Sequence, residues 1–259
     1  TTEFVGIRIP ANHTPGCGFG TSTTHNNICG TWYVFCVPQI LLQDTGESQR
    51  SGRGGGMSGG ADKGFSIDPT TVREWKRYPE YTDSGVAWFG EVPAGWELKR
   101  LKHISTVNDD ALSENTPPDY QILYVDISDV DPVKGIQNAE EMTFEKAPSR
   151  ARRLVRSGDV IVSTVRTYLR AITPIINPPE NLIVSTGFAV IRTNSNFDSK
   201  FAGYTLRGSH FIEPVVAKSK GVSYPAINAS ELVCLEIPLP PLPEQHAIAA
   251  FLDRETARI

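Results

Sequence analysis

Prolines crowded into six residues constrain the fold of this chain more than any other sequence feature. They are Pro238, Pro240, Pro241 and Pro243. Proline has no amide hydrogen, so it cannot continue the hydrogen-bonded ladder of a sheet, yet it fits the first turn of a helix. The run therefore predicts a stiff connector that ends a domain at residue 240, followed by a helix with Pro243 in its first turn. Glu244 suits the positive start of that helix. Its apolar stripe is Ile248, Phe251, Leu252 and Ile259.

Strands and helices are predicted to alternate between residues 94 and 240. Apolar residues at helical spacing predict helices at about 199–208 and 209–217, including Phe201, Tyr204, Phe211, Ile212 and Val216. This order indicates an α+β domain with a mixed β-sheet and flanking helices. Short apolar runs predict the strands, at 122–127, 160–165, 172–176, 188–192 and 233–237.

The first 56 residues differ from the rest of the chain. They contain no lysine and end in a Ser-Gly-Arg-Gly-Gly-Gly run before Met57. Purine-rich codons encode both Gly and Arg, so the run has the composition of a translated ribosome-binding site. We interpret residues 1–56 as a non-native or disordered leader and Met57 as the natural start. The alternative is a zinc site, whose ligands would be His13, Cys17, His25 and Cys29.

Residues 57–93 are interpreted as an aromatic arm. Glycines and prolines interrupt it, which predicts an extended segment whose rings pack on a neighbouring domain. The aromatic residues in and just after the arm are Trp75, Tyr78, Tyr81, Trp88, Phe89 and Trp96.

The overall composition limits the classes of protein that are possible. The formal net charge of −4 lacks the basic excess of many nucleic-acid-binding proteins, so any such surface must be local. No run approaches the roughly 20 apolar residues of a membrane helix, and the N-terminus has no secretory signal. Beyond residue 56 the only cysteine is Cys234, which indicates a reduced, cytoplasmic protein.

The densest charge lies at residues 146–170. Seven cations face one acid, Asp159, which gives seven minus one, or +6. Such a concentration is suited to neutralising phosphates. The alternative is that the arginines pair with acidic neighbours such as Glu140, Glu141 and Glu145. The cations are Lys146, Arg150, Arg152, Arg153, Arg156, Arg166 and Arg170.

A second candidate segment spans residues 218–228 and reads KSKGVSYPAIN. Its small hydroxyls, amide and ring could meet bases and phosphates. The same residue types also form ordinary turns, which is the alternative interpretation. The candidate residues are Lys218, Lys220, Ser223, Tyr224 and Asn228.

Catalytic motifs are not found. The tetrad at 177–180, Asn-Pro-Pro-Glu, resembles the Asn-Pro-Pro-aromatic motif of amino-methyltransferases but carries Glu180 in place of the stacking ring. Asp68, Glu74 and Lys76 only loosely match a nuclease carboxylate set. No Gly-rich turn lies between a strand and a helix to hold a methyl donor.

Three segments together resemble the specificity subunit of type I restriction-modification systems, over roughly residues 75–259. The first is GVAWFGEVPAGWELKRLK at 85–102. The second is GDVIVSTVRTYLR at 158–170 with STGFAV at 185–190. The third is GVSYPAINASEL at 221–232 running into IPLPPLPEQH at 237–246.

The resemblance implies a target-recognition domain, at 94–240, that docks on the DNA major groove. Residues 241–259 would then be the truncated start of a conserved helical spacer that holds modification subunits. In this family a separate modification subunit methylates with S-adenosylmethionine, and a separate restriction subunit cleaves with ATP and Mg²⁺. The chain itself is expected to hold no cofactor and no catalytic centre.

The candidate residues receive different roles in this interpretation. We expect Arg150, Arg152, Arg153 and Arg156 to hold phosphates. An arginine fork can pair with guanine, so base reading is assigned to a strand-end group, with Ser223, Tyr224 and Asn228 complementing it. That group is Arg166, Tyr168 and Arg170. The alternatives are a stand-alone DNA-modifying enzyme and a protein-interaction module.

Overall fold

The computed structural model describes residues 78–86 and 88–257, in which short strands and helices alternate. The predicted leader, its alternative zinc ligands, arm residues 57–77 and Ile259 lie outside the described residues. The strands are β1 (Tyr81–Asp83), β2 (Glu91–Pro93), β3 (Glu97–Arg100), β4 (Ser105–Val107), β5 (Gln121–Val125), β6 (Val130–Asp131), β7 (Gly135–Ile136), β8 (Glu140–Thr143), β9 (Ala151–Leu154), β10 (Val160–Ser163), β11 (Ile172–Pro174), β12 (Leu182–Ser185), β13 (Phe188–Thr193) and β14 (Glu236–Leu239). The α-helices are α1 (Ser199–Thr205), α2 (Ser209–Lys218), α3 (Ala229–Leu232) and α4 (Leu242–Thr256).

Two four-stranded sheets form the centre of the domain. One sheet has the order β11-β10-β13-β4 and is antiparallel throughout. The other has the order β8-β5-β12-β9 and is mixed, because β12 runs parallel to β5 and antiparallel to β9. The predicted α+β class with a mixed sheet and flanking helices is confirmed.

Strand β10 connects two hydrophobic cores. Val160 and Val162 belong to the core shared with α1, α2 and α4, whereas Ile161 packs in a second core with Val184 and Phe188. Successive side chains of a strand point to opposite faces. The uninterrupted apolar sequence of β10 therefore reflects burial on both faces, and each such side chain contributes about 1.5–3 kcal/mol.

The helix after the proline run is fastened to the domain by one buried amide. Helix α4 has Pro243 in its first turn, as predicted. Gln245 is 1% exposed, and its Oε1 accepts the backbone N–H of Asp198 at 2.8 Å. Its Nε2 donates to the carbonyl oxygens of Pro240 and Asn196, at 2.8 and 3.0 Å. No helix in the described ranges is both long and apolar enough to cross a membrane.

The predicted strand at 233–237 is wrong in its position. The short helix α3 precedes it, and β14 starts only at Glu236. Glu231 Oε2 accepts the backbone N–H of Asn228 at 3.3 Å, an arrangement that favours a helix start. Strand β14 also contains Pro238, although the proline run was expected to lie beyond the sheet. Proline is tolerated there because β14 pairs with β3 in a sheet of two strands.

The other four predicted strands are observed as β5, β10, β11 and β13, and the two predicted helices as α1 and α2. The described part of the aromatic arm forms the hairpin β1-β2. Within it, Phe89 is fully buried and its ring centroid lies 5.7 Å from that of His210 in α2.

Candidate nucleic-acid interface

The loop after β10 has an unusual backbone. Residues Thr167–Leu169 form a 3₁₀ turn, and both flanking residues have positive φ, 54° at Arg166 and 52° at Arg170. Non-glycine residues in this conformation cost about 1–2 kcal/mol each. They persist where the surrounding structure fixes them, often at functional sites. The turn exposes Tyr168 by 53% and Leu169 by 38%.

The segment that follows α2 packs directly against this turn. The backbone N–H of Arg166 donates to the carbonyl oxygen of Pro225 at 2.8 Å, and Val165 forms an antiparallel bridge with Ala226. The second segment therefore pairs with the residues that follow the end of β10. We call these two segments the paired loops: residues 164–170 and 218–228.

A hydroxyl pair ties the paired loops to α2. Thr167, which is 3% exposed, shares a 2.8 Å hydrogen bond with Ser219. Ser219 Oγ donates to the carbonyl oxygen of Val215 at 2.7 Å. Because a hydroxyl carries one hydrogen, Thr167 is the donor to Ser219. These two hydroxyls therefore hold the loops in place and are not available for a ligand.

The second loop ends in a tight tip. Lys220 and Ala226 exchange backbone hydrogen bonds of 2.8 and 2.9 Å, which closes the tip. Gly221 has φ 110°, and a Cβ at this position would lie 3.1 Å from the carbonyl oxygen of Tyr224. Val222 is fully exposed and Tyr224 is 61% exposed at this tip.

Two predicted reading residues from separate loops are in contact. The guanidinium of Arg166 lies over the ring of Tyr224, 4.9 Å from its centroid, a cation–π arrangement. Tyr168, Arg170 and Ser223 are also exposed on the paired loops. The structure thus brings together the two segments that the sequence marked separately.

The remaining predicted residues of the second segment lie at its ends. Lys220 forms an ion pair with Glu231 at 3.2 Å, and Asn228 is the N-cap residue of α3. The backbone N–H of Asn228, together with Lys220, lowers the pKa of Glu231. Lys218 is exposed in the last turn of α2. Exposed ion pairs contribute only about 0–1 kcal/mol, so Lys220 can exchange Glu231 for a phosphate.

The basic run is not a single charged loop. Arg150 Nη2 lies 2.6 Å from Asp126 Oδ2, and Arg156 Nη2 lies 2.8 Å from Asp110 Oδ2. Asp126 raises the pKa of Arg150, whereas Arg192 first and Arg156 after it lower the pKa of Asp110. Neither acidic partner is among those suggested by the sequence, which are Glu140, Glu141 and Glu145.

Arg152 and Arg153 lie on β9, between these two ion pairs. The guanidinium of Arg152 lies 4.7 Å from the Phe144 ring centroid and donates to the carbonyl oxygen of Ala151 at 3.1 Å. Burial lowers the pKa of Arg153. Its buried Nε has no hydrogen-bond partner in the described part of the chain. Arg153 is half-buried, like Arg152.

A shared turn places Arg150 beside the paired loops and Arg156 away from them. Thr186 N–H donates to the carbonyl oxygen of Arg150, and Thr164 N–H donates to that of Gly187, both at 2.8 Å. From this turn β9 runs away, antiparallel to β12. Arg156 follows the far end of β9, where its side chain pairs with Asp110 and its backbone N–H donates to Asp159 at the start of β10.

Asp159, the lone acid of the basic run, anchors an ionic network at the far end of β10. It is 1% exposed, and Arg192 donates to both of its oxygens at 2.8 Å. Arg192 Nη1 also reaches Asp110 Oδ2 at 2.6 Å. The two carboxylates, Asp159 foremost, raise the pKa of Arg192. This network holds the start of β10 against β13 and lies away from the paired loops.

Two exposed apolar residues of the paired loops were not predicted from the sequence. Leu169 and Val222 are exposed there. The sequence does contain a signal for Val222, because it is an apolar residue in a loop bounded by Gly and Pro.

The tetrad at 177–180 follows β11, at the far end from the paired loops. Across residues 78–86 and 88–257, no three His, Cys, Asp or Glu side chains are grouped to hold a metal.

The family model of the type I restriction modification DNA specificity domain matches residues 93–259. A putative type I restriction enzyme MjaX specificity subunit from Methanocaldococcus jannaschii is 30% identical over 175 residues, which cover 63% of this chain and 40% of that protein. The type I restriction enzyme EcoDI specificity subunit from Escherichia coli is 23% identical over 164 residues, covering 63% and 35%.

Solved structures agree with these relatives. The HsdS subunit from Thermoanaerobacter tengcongensis is similar with a TM-score of 0.57 and 36% identity, over 64% of this chain and 43% of that chain. A structure that describes complex assembly and conformational transition of the type I R-M system gives a TM-score of 0.58 and 37% identity, with the same coverage. The chain therefore spans about two fifths of the length of these relatives.

Proposed function

The chain belongs to the family of type I restriction-modification DNA specificity domains, and from this we propose that it reads a DNA sequence for a restriction-modification complex. The contact between Arg166 and Tyr224 carries the proposal, because it joins both candidate reading segments into one exposed surface. The paired loops are that surface.

The shape of the paired loops suits the major groove. This groove is about 12 Å wide and admits an α-helix or a two-stranded β-ribbon. The tip is a tight loop closed by one antiparallel bridge between Lys220 and Ala226, and the 3₁₀ turn lies beside it. We expect this narrow projection to enter the groove. Arg166 and Arg170 would donate to guanine, while Tyr168 and Ser223 would meet neighbouring base edges.

Phosphate contacts would flank the reading surface. We assign them to Arg150, Arg152, Lys218 and Lys220, which lie on or near the end of the domain that carries the paired loops. The ion pair of Arg150 is exposed, so a phosphate can replace Asp126 at little cost. We assign Arg153 to the fold because its Nε is buried, and Arg156 because it lies beyond the far end of β9 from the paired loops.

The partners follow from the relatives. The MjaX and EcoDI proteins are specificity subunits of restriction enzymes. We propose that this chain likewise directs a modification subunit that uses S-adenosylmethionine and a restriction subunit that uses ATP and Mg²⁺. The chain would supply no catalytic group and would act on DNA in the cytoplasm. These relatives do not favour a stand-alone enzyme or a protein-interaction module.

Selection from a randomised duplex library tests the proposal. The chain should enrich one short sequence and bind it more tightly than a scrambled duplex, with affinity that falls as salt rises. Binding with no enriched sequence would contradict sequence reading, and enrichment that disappears when both loops are altered would support it.

A further inference from the structure

Val222 is an apolar side chain that is fully exposed to solvent at the tip of the second loop. Its relative exposure is 102%. The tip is not a loose segment, because Lys220 and Ala226 close it and Gly221 provides the required φ of 110°. A β-branched side chain is also restricted in its own rotation. The fold therefore presents two methyl groups in a defined place without burying them.

The neighbours of Val222 indicate what these methyl groups meet. Ser223 and Tyr224 follow it on the tip, and Arg166 stacks on Tyr224. A surface of cations, hydroxyls and an aromatic ring is suited to base edges rather than to an apolar protein face. Within the major groove the apolar group that varies with sequence is the C5 methyl of thymine.

We propose that Val222 is a specificity-determining residue that recognises the C5 methyl group of a thymine in the target sequence. The inference rests on the proposed DNA-reading function and deepens it. Arg166 would select a guanine by donating hydrogen bonds, and Val222 would select an A·T pair by apolar contact. Discrimination by Val222 then needs no hydrogen bond at all.

Replacing single thymines by deoxyuridine isolates the methyl group, because the two bases differ there alone. Each thymine of the sequence enriched by the chain is replaced in turn, and the dissociation constant is measured. At one position we expect affinity to fall about three- to fivefold, the effect of losing one methyl-sized apolar contact. In Val222→Ala the same replacement should have little further effect.

Val216→Ala is the matched control, because Val216 is 39% exposed on α2 and outside the paired loops. It should retain the deoxyuridine effect. Val222→Ala should melt at the temperature of the original protein, since its side chain is fully exposed. If sequence discrimination persists but no thymine shows an effect that depends on Val222, this inference is overturned while the proposed function stands. If the chain does not discriminate sequences at all, both fail.

Discussion

Arg166 lies over the ring of Tyr224, with 4.9 Å between its guanidinium carbon and the ring centroid. Each residue belongs to a different loop, so the contact couples the 3₁₀ turn after β10 to the tip after α2. Stacking leaves the donor edges of a guanidinium accessible, because the ring meets only its face. An arginine held in this way is preorganised for bidentate contact with guanine.

The stacking predicts a difference between two variants of Tyr224. Tyr224→Ala should reduce discrimination between the enriched and scrambled duplexes about two- to fivefold, because an exposed cation–π contact contributes about 0.5–1 kcal/mol. Tyr224→Phe retains the ring and should bind like the original protein. Tyr120→Ala, at the opposite end of β5 from Asp126, is the control. An equal loss in both Tyr224 variants would contradict the role of the ring.

The division of the basic run predicts unequal effects of two arginines that are both paired with aspartate. The plot of log affinity against log salt falls less steeply when a phosphate contact is lost. Arg150→Ala should therefore reduce the magnitude of this negative slope by about one. Arg156→Ala should leave the slope unchanged, since Arg156 lies beyond the far end of β9, beside Asp110 and Asp159. Equal slopes for both variants, measured by fluorescence anisotropy, would refute this assignment.

The buried carboxylate of Asp159 predicts a large loss of stability without a change in specificity. In Asp159→Asn, Arg192 loses its main partner, and the free energy of unfolding should fall by about 2–4 kcal/mol. Fully buried pairs cost about 3–5 kcal/mol to break, but the Arg192 side chain is 23% exposed. Urea unfolding checks this value. Asp109→Asn, at 3.7 Å from Arg192, is the control and should change stability little.

His210 predicts a pH dependence of stability. Burial lowers its pKa from 6.5 to about 4, so between these values the unfolded chain binds a proton that the folded chain does not. The free energy of unfolding should therefore decrease as the pH is lowered below about 6.5, by up to about 1.4 kcal/mol per pH unit. Urea unfolding at pH 7 and pH 5 measures this effect. His210→Leu should reduce the difference in the free energy of unfolding between pH 7 and pH 5. If this difference is unchanged in the variant, other titrating groups cause it.

The predictable part of the fold is the part that local pattern determines. Strand β10 is predictable because Val160, Ile161 and Val162 form an apolar run that no polar residue interrupts. The run is uninterrupted because the strand is buried on both faces. Strand β9 was not predicted, because its sequence, Ala-Arg-Arg-Leu, has the appearance of a charged loop. Its strand conformation comes from pairing with β12 and from aromatic packing of Arg152, which are tertiary effects.

The candidate site was predictable as two segments but not as one surface. Each segment has its own signal, a basic strand end or a Gly- and Pro-bounded polar loop. Their union depends on the bridge between Val165 and Ala226 and on the hydroxyl pair of Thr167 and Ser219. No periodicity encodes contacts between residues so far apart in sequence. The positive φ of Arg166 arises for the same reason, since the partner loop holds it.

The sequence preference of Arg166→Ala and Arg170→Ala tests most directly whether the paired loops read DNA. Binding of each variant to the enriched duplex and to a scrambled duplex is measured at one salt concentration, with Arg156→Ala as the control. We expect each loop variant to lose about 1–3 kcal/mol on the enriched duplex, little on the scrambled one, and to relax the preference at one base pair. Unchanged discrimination in both variants would show that the paired loops do not read the sequence.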